Sequence, residues 1–401
     1  MIKPFDLNLR HLRALSAVIA EGSLSQAAEV TGLSQPALTQ GLAKLERRLE
    51  VQLFDRRTDG VLPTQAGQVL AERTTRALAC LAGGVRRVGR RNRGFARPAQ
   101  LMTATQLSAF LQFSAVQSFS GAAAATGLSQ AAIHRAVRDL QQICGVQLVE
   151  RRGRGVTLTT AGRALARGAR LAEQEIAAGI MEARGDDRGS GRISIGAMPF
   201  CRALLLPRAL AELLRIAPHT VVDVIEGSWR ELIEPLADGV VDVTIGALRE
   251  EAPTGIEQEP LFTDRLAIFG RPGHPALAGG ASLELLRGQP WIVGPVGTPL
   301  RAHWEAMFGG GALPNVPIEC GSVMVIRGLL AQSDLLTLLS PDQVALEVQS
   351  GMLVQIPPPV PAADRVIGLT VRSGWRPTHV QREFLRLIRL AALETRLQEN
   401  Q

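Results

Sequence analysis

Hydrophobic positions near the start of the chain recur at helical spacing and break at short intervals. Leu9, Leu12, Leu15, Val18 and Ile19 predict one amphipathic helix. Ser23, with Gln26 at capping-box spacing behind it, opens a second, short helix whose Ala27 and Ala28 permit close helix approach. Gly32 supplies a turn, and Ser34 caps a third helix that tolerates Pro36 in its first turn. Leu38, Leu42 and Leu45 fall on its inner face, so Gln35, Thr39, Gln40 and Lys44 face outward. The stretch LEVQLFDRRTDGVLPT then predicts a strand, a basic turn at Arg56–Arg57 and a return strand. After Thr64, a long helix carries an apolar stripe of Val69, Leu70, Leu78, Leu81 and Val85.

The whole pattern occurs twice. Sliding the sequence by 95 positions lays Ser23–Gly67 over Ser118–Gly162 without a gap, with 21 of 45 positions identical. The second copy has Leu107, Phe110, Phe113 and Val116 on its first helix and Ile133, Val137 and Leu140 inside its third. Ser129 and Gln130 repeat Ser34 and Gln35, but His134, Arg135 and Arg138 replace Thr39, Gln40 and Ala43. Its basic turn is richer, with Arg151, Arg152 and Arg154. The helix after it, Thr159–Ala183, lines up Ala161, Leu165, Ala169, Ala172, Ile176 and Ile180. That narrow stripe predicts a dimerisation helix, pairing with a second chain across a twofold axis.

A short helix, a glycine turn and a helix with a polar outer face give helix-turn-helix geometry, and the basic hairpin adds a wing. Gln and Arg on the third helix suit base edges, while Ser, Thr and Lys suit phosphates. Charge agrees: residues 1–191 hold 26 Lys+Arg against 15 Asp+Glu, and residues 192–401 hold 18 against 22. The expected DNA contacts are Ser34, Gln35, Pro36, Thr39, Gln40, Lys44, Arg56 and Arg57 in copy one. In copy two they are Ser129, Gln130, His134, Arg135, Arg138, Arg151, Arg152 and Arg154. With no Tyr and only 4% aromatic residues, a stacking platform for single strands is poorly supplied, so double-stranded DNA is the expected partner.

Beyond the polar hinge RGDDRGSG, strands and helices alternate. Arg192–Ala197, Val221–Ile225 and Val240–Ala247 predict strands, with helices at Leu204–Leu214 and Trp229–Ala237 between them. This order implies a mostly parallel sheet covered by helices. Phe262–Arg271 predicts one further strand, Val366–Val371 a returning one, and Thr378–Leu393 a closing amphipathic helix.

GSLSQAAEVTGLSQPALTQGLAKLE, LFDRR and the T-x-A-G of copy one, with SFSGAAAATGLSQAAIHRAVRDL and QLVERRGRGVTLTTAG of copy two, carry a family likeness. The chain resembles the LysR-type transcriptional regulators, with an extra N-terminal winged helix-turn-helix. It departs from their pattern at Leu62-Pro63, at Gln141 in place of a glutamate, and at Val149 in place of a phenylalanine. GRISIGA, LADGVVDVTIGAL, RPGHPAL and SGMLVQIP resemble the family's effector-binding region. The resemblance implies an α/β multidomain protein: two winged helix-turn-helix domains, a long dimerisation helix and a two-lobed domain of the periplasmic-binding-protein type. The expected boundaries are 7–67 for copy one, 68–100 for a helix and Arg-rich linker, and 103–162 for copy two. Residues 163–191 follow as dimerisation helix and hinge, and 192–396 as the effector domain. Lobe I is expected at about 192–264 and 366–396, and lobe II at about 265–365.

Ligands of open α/β lobes sit beyond the carboxyl ends of the strands. That puts Ala197, Met198, Pro199, Gly246, Ala247, Val296, Gly297 and Thr298 around a cleft, with Ser228 and Ser322 added from neighbouring element ends. IGAMPFCRALLLPRAL, GPVGTPLR and RGLLAQSDLLTLLSPDQV resemble the subgroup named for regulating a galactose-binding protein, which implies a sugar or related metabolite as effector.

The expected function is therefore a DNA-binding transcriptional regulator, a homodimer or higher oligomer, modulated by a small molecule. One alternative gives one head to protein interaction; a solute-binding transport protein fits less well. There is no P-loop, G-x-G-x-x-G, G-x-S-x-G or H-E-x-x-H, so no enzyme activity and no cofactor are expected. Cys80, Cys144, Cys201 and Cys320 form no C-x-x-C pair, so no metal site is expected. The first residues lack a signal-peptide pattern and no apolar run reaches membrane-spanning length, which points to a cytoplasmic protein without membrane contact.

Overall fold

Hydroxyl side chains start the second, third and long helices of both repeats at the same relative positions. The structure, a computed structural model, describes residues 2–57, 60–87, 95, 97–153, 155–186, 189–278, 282–357, 360 and 364–399. The first repeat comprises α1 (Leu9–Glu21), α2 (Leu24–Thr31), α3 (Gln35–Leu49), β1 (Phe54–Arg57), β2 (Gly60–Pro63) and α4 (Gln65–Arg87). A single turn, α5 (Pro98–Leu101), leads into the second: α6 (Ala104–Val116), α7 (Phe119–Thr126) and α8 (Gln130–Cys144). It continues with β3 (Val149–Arg152), β4 (Gly155–Leu158) and α9 (Thr160–Arg184). Ser23 Oγ accepts from the Gln26 N–H and Ser118 Oγ from the Gly121 N–H, at 3.5 and 3.2 Å. Ser34 and Ser129 cap α3 and α8 in the same way, through Ala37 and Ala132. Each satisfies a backbone donor that a helix start leaves without an intrahelical partner. The Thr64 and Thr159 hydroxyls donate to the carbonyls of Gln52 and Gln147 at 2.8 Å, and accept from the N–H of Gly67 and Gly162. Each wing is thereby tied to the start of its long helix.

The two long helices pack along each other, antiparallel, within one chain. Gly84 of α4 meets Gly168 of α9 so closely that a Cβ on Gly84 would stand 3.1 Å from the Gly168 Cα. Toward the other end Gly179 lies under the stem of Arg73, where a Cβ would stand 2.9 Å from the Arg73 Cβ. Between and beside these points Leu70, Ala77 and Leu81 of α4 and Leu165, Ala169, Ala172 and Ile176 of α9 are buried in one continuous core shared with both heads. Arg73 is 1% exposed in its side chain and bonds to Glu175 Oε2 at 2.9 Å and to Glu182 Oε2 at 3.0 Å, both on α9. The α9 stripe expected to await a second chain is thus covered by α4. Read alone, the stripe advertises a partner; the equivalent stripe 95 residues earlier in the same chain fills that place. Met1–Gly191 forms one compact unit.

Arg192–Gln401 forms the other. Its elements are β5 (Ser190–Ala197), α10 (Leu205–Ile216), β6 (His219–Glu226), α11 (Trp229–Ala237), β7 (Val243–Ala247), β8 (Ile256–Arg265) and β9 (Ala267–Gly270). Then come α12 (Pro275–Ala278), α13 (Leu283–Arg287), β10 (Ile292–Val293), α14 (Pro299–Met307), β11 (Ile318–Glu319), α15 (Val323–Leu330) and β12 (Thr337–Leu339). The last are α16 (Ala345–Gln349), β13 (Val354–Ile356), β14 (Asp364–Arg372) and α17 (His379–Glu399). One lobe is built on a five-stranded sheet ordered β6-β5-β7-β14-β8, with α10 and α17 packed together beside it. The other holds β12-β9-β13 and the parallel pair β10-β11.

The first sheet is mixed rather than mostly parallel. β7 runs parallel to β5, but β14 is antiparallel to both β7 and β8. The reason is connectivity: β8 leaves for the second lobe and β14 returns from it, so the two must run in opposite directions. The apolar run Phe262–Arg271, expected as one strand, is divided at Leu266 between β8 in the first sheet and β9 in the second. An unbroken apolar pattern records burial and carries no mark of a change of sheet. In the second lobe Trp291, Trp304 and Phe308 pack edge to face at centroid distances of 5.5–5.9 Å.

Candidate nucleic-acid interface and effector cleft

Leu38, Leu42 and Leu45 are buried, which turns the opposite side of α3 to solvent. Ser34, Gln35, Pro36, Thr39, Gln40 and Lys44 are all exposed there. On α8, Ile133, Val137 and Leu140 are buried, and Ser129, Gln130, His134, Arg135 and Arg138 are exposed. Beyond the Ser34 and Ser129 hydroxyls, which cap their helices, two of these polar side chains are partly engaged. Thr39 Oγ1 donates to the Gln35 carbonyl at 3.0 Å, and the His134 ring stacks on Phe119 with centroids 3.6 Å apart. Arg151 and Arg152 are exposed on β3, which pairs with β4 from Val149↔Leu158 to Arg152↔Gly155. Arg56 and Arg57 lie on β1, in the same register of the first wing; their side chains, and the whole of Arg154, lie outside the described residues.

Beneath each recognition helix one side chain fastens the wing. Glu46 Oε1 accepts the N–H groups of Leu53 and Phe54 at 2.9 and 3.3 Å. Gln141 Oε1 accepts those of Leu148 and Val149 at 3.0 and 3.3 Å. The amide at Gln141 therefore does the work of the carboxylate, because the bonds need only an acceptor oxygen. Behind α3 the His11 ring lies against Gly41, and its pKa is lowered, by burial first and by the nearby Lys44 cation second. Copy two places Gln106 there, whose amide bonds to Asp139 at 3.3 Å.

In the second unit a cleft of about 510 Å³ opens between the lobes. Pro199 and Ser322 line it, together with Glu226, Met324, Arg327 and Gln343. The remaining expected ligand residues lie elsewhere. Ala197 is fully buried, and Gly246 is roofed by the side chain of Met198, which is itself buried. Ala247 sits within the β7–β14 ladder opposite Ile367. Ser228 and Thr298 spend their hydroxyls on the ends of α11 and α14, through Glu231 and through the Arg301 N–H and Pro295 carbonyl. Val296 and Gly297 are exposed and do not line the cleft. The strand-end rule located the region, but which side chains reach the space depends on local caps.

Arg327, Glu226 and Gln343 were not among the expected residues. Arg327 had a signal: it is the one charged residue in the otherwise apolar α15, VMVIRGLL. It is paired with Glu347 of α16 and bonds to Met324 Sδ at 3.6 Å, so its guanidinium is held at the cleft wall.

The family profile described as "LysR substrate binding domain" matches residues 186–392, more than half the chain. "Bacterial regulatory helix-turn-helix protein, lysR family" matches twice, at 9–68 and 104–163. The chain belongs to the LysR family of transcriptional regulators. It is 32% identical to the HTH-type transcriptional regulator GalR of Pseudomonas putida over 92% of this chain and 93% of that one. It is 30% identical to the HTH-type transcriptional regulator GbpR of Azospirillum brasilense, over 55% of this chain and 66% of that one. Among solved structures, ArgP from Mycobacterium tuberculosis shares the fold with a TM-score of 0.60 at 18% identity, covering 72% of this chain and 96% of its own. A full-length OxyR variant from Pseudomonas aeruginosa matches with a TM-score of 0.56 at 24% identity, covering 73% and 97%. Both solved chains are matched almost end to end and still leave a stretch of this LysR protein the size of a head and helix unaccounted for. LysR regulators bind DNA and small-molecule effectors and act as oligomers, and this one is a DNA-binding regulator with an effector-binding domain. None of its described helices is long and apolar enough to cross a membrane.

Proposed function

We propose that both heads contact double-stranded DNA, α3 and α8 each entering a major groove with its wing along the neighbouring backbone. The regulator would act in the cytoplasm, as a switch rather than a catalyst. The observation that carries this reading is that both heads keep the same caps, the same wing fastening and an exposed polar face on the third helix. Gln35, Gln40, Gln130 and Arg135 supply base-reading chemistry; Ser34, Lys44, Ser129, Arg138 and the wing arginines supply phosphate contacts.

Anisotropy titrations on duplex from upstream of its own gene, at several salt concentrations, test both heads. Arg57→Gln and Arg152→Gln should each weaken binding and flatten the log–log salt slope by about 0.9. A slope unchanged by one of them would remove that head from DNA and leave it to protein interaction.

For the effector we propose a small polar metabolite carrying hydroxyls, a sugar acid or hydroxylated carboxylate before a neutral sugar. A guanidinium, a carboxylate, a hydroxyl and an amide line the cleft, and Arg327 offers a charge-assisted bond to an anionic group. Such a ligand moves DNA binding only through unequal affinity for two arrangements of the protein. Calorimetric titration with both classes should show Arg327→Gln weakening the carboxylates about tenfold or more. Equal binding by the variant would place the effector elsewhere.

A further inference from the structure

The 95-residue offset maps α4 onto α9, and the contacts between these helices obey it. Gly84 against Gly168 becomes, under the offset, Gly179 against Arg73, and both contacts are present. The pair is therefore built around a pseudo-twofold axis, which its buried charges break. The two arginines of this network stand on α4: the equivalents of Arg73 and Arg76 are Gly168 and Leu171. The two carboxylates that meet them stand on α9: the equivalents of Glu175 and Glu182 are Cys80 and Arg87. Arg73 bonds to both carboxylates and Arg76 Nε reaches Glu175 Oε1 at 3.0 Å.

Two α4 helices packed in this way would bury each Arg73 against Cys80 and Arg87. Two α9 helices would bury Glu175 and Glu182 against Gly168 and Leu171. Either like pairing strands a charge away from water without its counter-charge, and only the unlike pairing satisfies both. We infer that α4 and α9 are encoded as an obligate unlike pair, so that one chain presents two different recognition helices and reads a two-part operator with unlike halves. The operator half of this statement rests on the reading that both heads touch DNA; the pairing half does not.

The faces that would read the halves differ at matched positions. Thr39, Gln40 and Lys44 on α3 correspond to His134, Arg135 and Asp139 on α8. His134 is stacked on Phe119, whose counterpart Leu24 offers no ring. Other bonds join the copies: Arg184 of α9 donates to the Leu49 carbonyl at 2.8 Å, and Arg13 of α1 to the carbonyls of Ala99 and Gln100.

Two experiments on the full chain test the inference. In the first, a protease site is inserted between Arg87 and Phe95, and the purified chain is nicked and weighed by native mass spectrometry. The two pieces should remain together in equal numbers, and Arg73→Met or Glu182→Gln should release them. Like-with-like association of the pieces overturns the pairing. In the second, the intact protein selects sites from a randomised duplex pool. The recovered sites should contain two unlike halves in fixed order, with Gln40→Ala relaxing base preference in one half and Arg135→Ala in the other. A symmetric site, or both substitutions acting on one half, overturns the operator. If Gln40→Ala changes nothing while the nicked pieces stay paired, the two-headed reading of DNA has failed and the pairing has not.

Discussion

Copy one ends its first helix with Gly22 and its third with Glu50; copy two ends the same helices with Gln117 and Gly145. All four residues are left-handed, with φ between 47° and 71°, and Glu50 and Gln117 are the only non-glycine residues so placed among those described. Left-handed backbone costs a residue with a Cβ roughly 1 kcal/mol. Each of the two uses its side chain: Gln117 Oε1 accepts from Thr157 Oγ1 in its own wing at 2.6 Å, and Glu50 pairs with Arg184 of α9 at 3.3 Å. The scaffold fixes the conformation at these corners. The residue is then chosen by whether a bond is available there.

The comparison can be broken most forcefully at Arg73, whose place in copy two is taken by Gly168. Arg73→Met leaves Glu182 facing a buried apolar stem and Glu175 with Arg76, and should destabilise the N-terminal unit by about 3–5 kcal/mol. The double variant with Glu182→Gln should recover part of that in a denaturant titration; no recovery would mean the arginine acts by packing alone. Next come the wing fasteners. Glu46→Ala and Gln141→Ala each orphan two backbone donors, and each should cost about 1–3 kcal/mol. Equal losses mean the acceptor matters and the charge does not; a clearly milder Gln141→Ala would separate the copies.

Smaller effects follow at the corners. Glu50→Gly and Gln117→Gly should each recover about 1 kcal/mol of backbone strain, less whatever the lost side-chain bond supplied. Unfolding midpoints that fall in both variants would show that the bonds outweigh the strain. The smallest effect is a pH dependence confined to copy one. His11 has a folded pKa below its unfolded value of about 6.5, so as pH falls the unfolded chain takes up the proton first. Stability present above that pH is lost below it. Melting curves between about pH 5 and 7.5 should show this slope in the wild type and a shallower one in His11→Gln, which installs the residue that copy two carries.

Much of this was legible in the sequence because each head is a set of local rules. Serine caps, a glycine turn and leucines at three- and four-residue spacing are all read within a dozen residues, and copy two repeats them. What stayed hidden was non-local. Nothing in the α9 stripe says whether its partner lies in another chain or 95 residues upstream, and Arg73 looks like any helical arginine until its two glutamates are brought opposite. The cleft behaved alike. Strand-end reasoning put Pro199 at the cleft and a neighbouring element end put Ser322 there, whereas Arg327 and Glu226 come to line one space only after two lobes have folded. Ser228 and Thr298 look free in sequence and are taken by their own helix ends.

The covalent link between α4 and α9 also changes how the paired heads respond to protein abundance. Two helices that meet by diffusion separate on dilution, whereas tethered ones see each other at an effective concentration of order millimolar. A cell holding few copies of this chain would still hold every head paired, and its occupancy of DNA would rise in simple proportion to copy number at this step. Only assembly through other surfaces would add a steeper dependence.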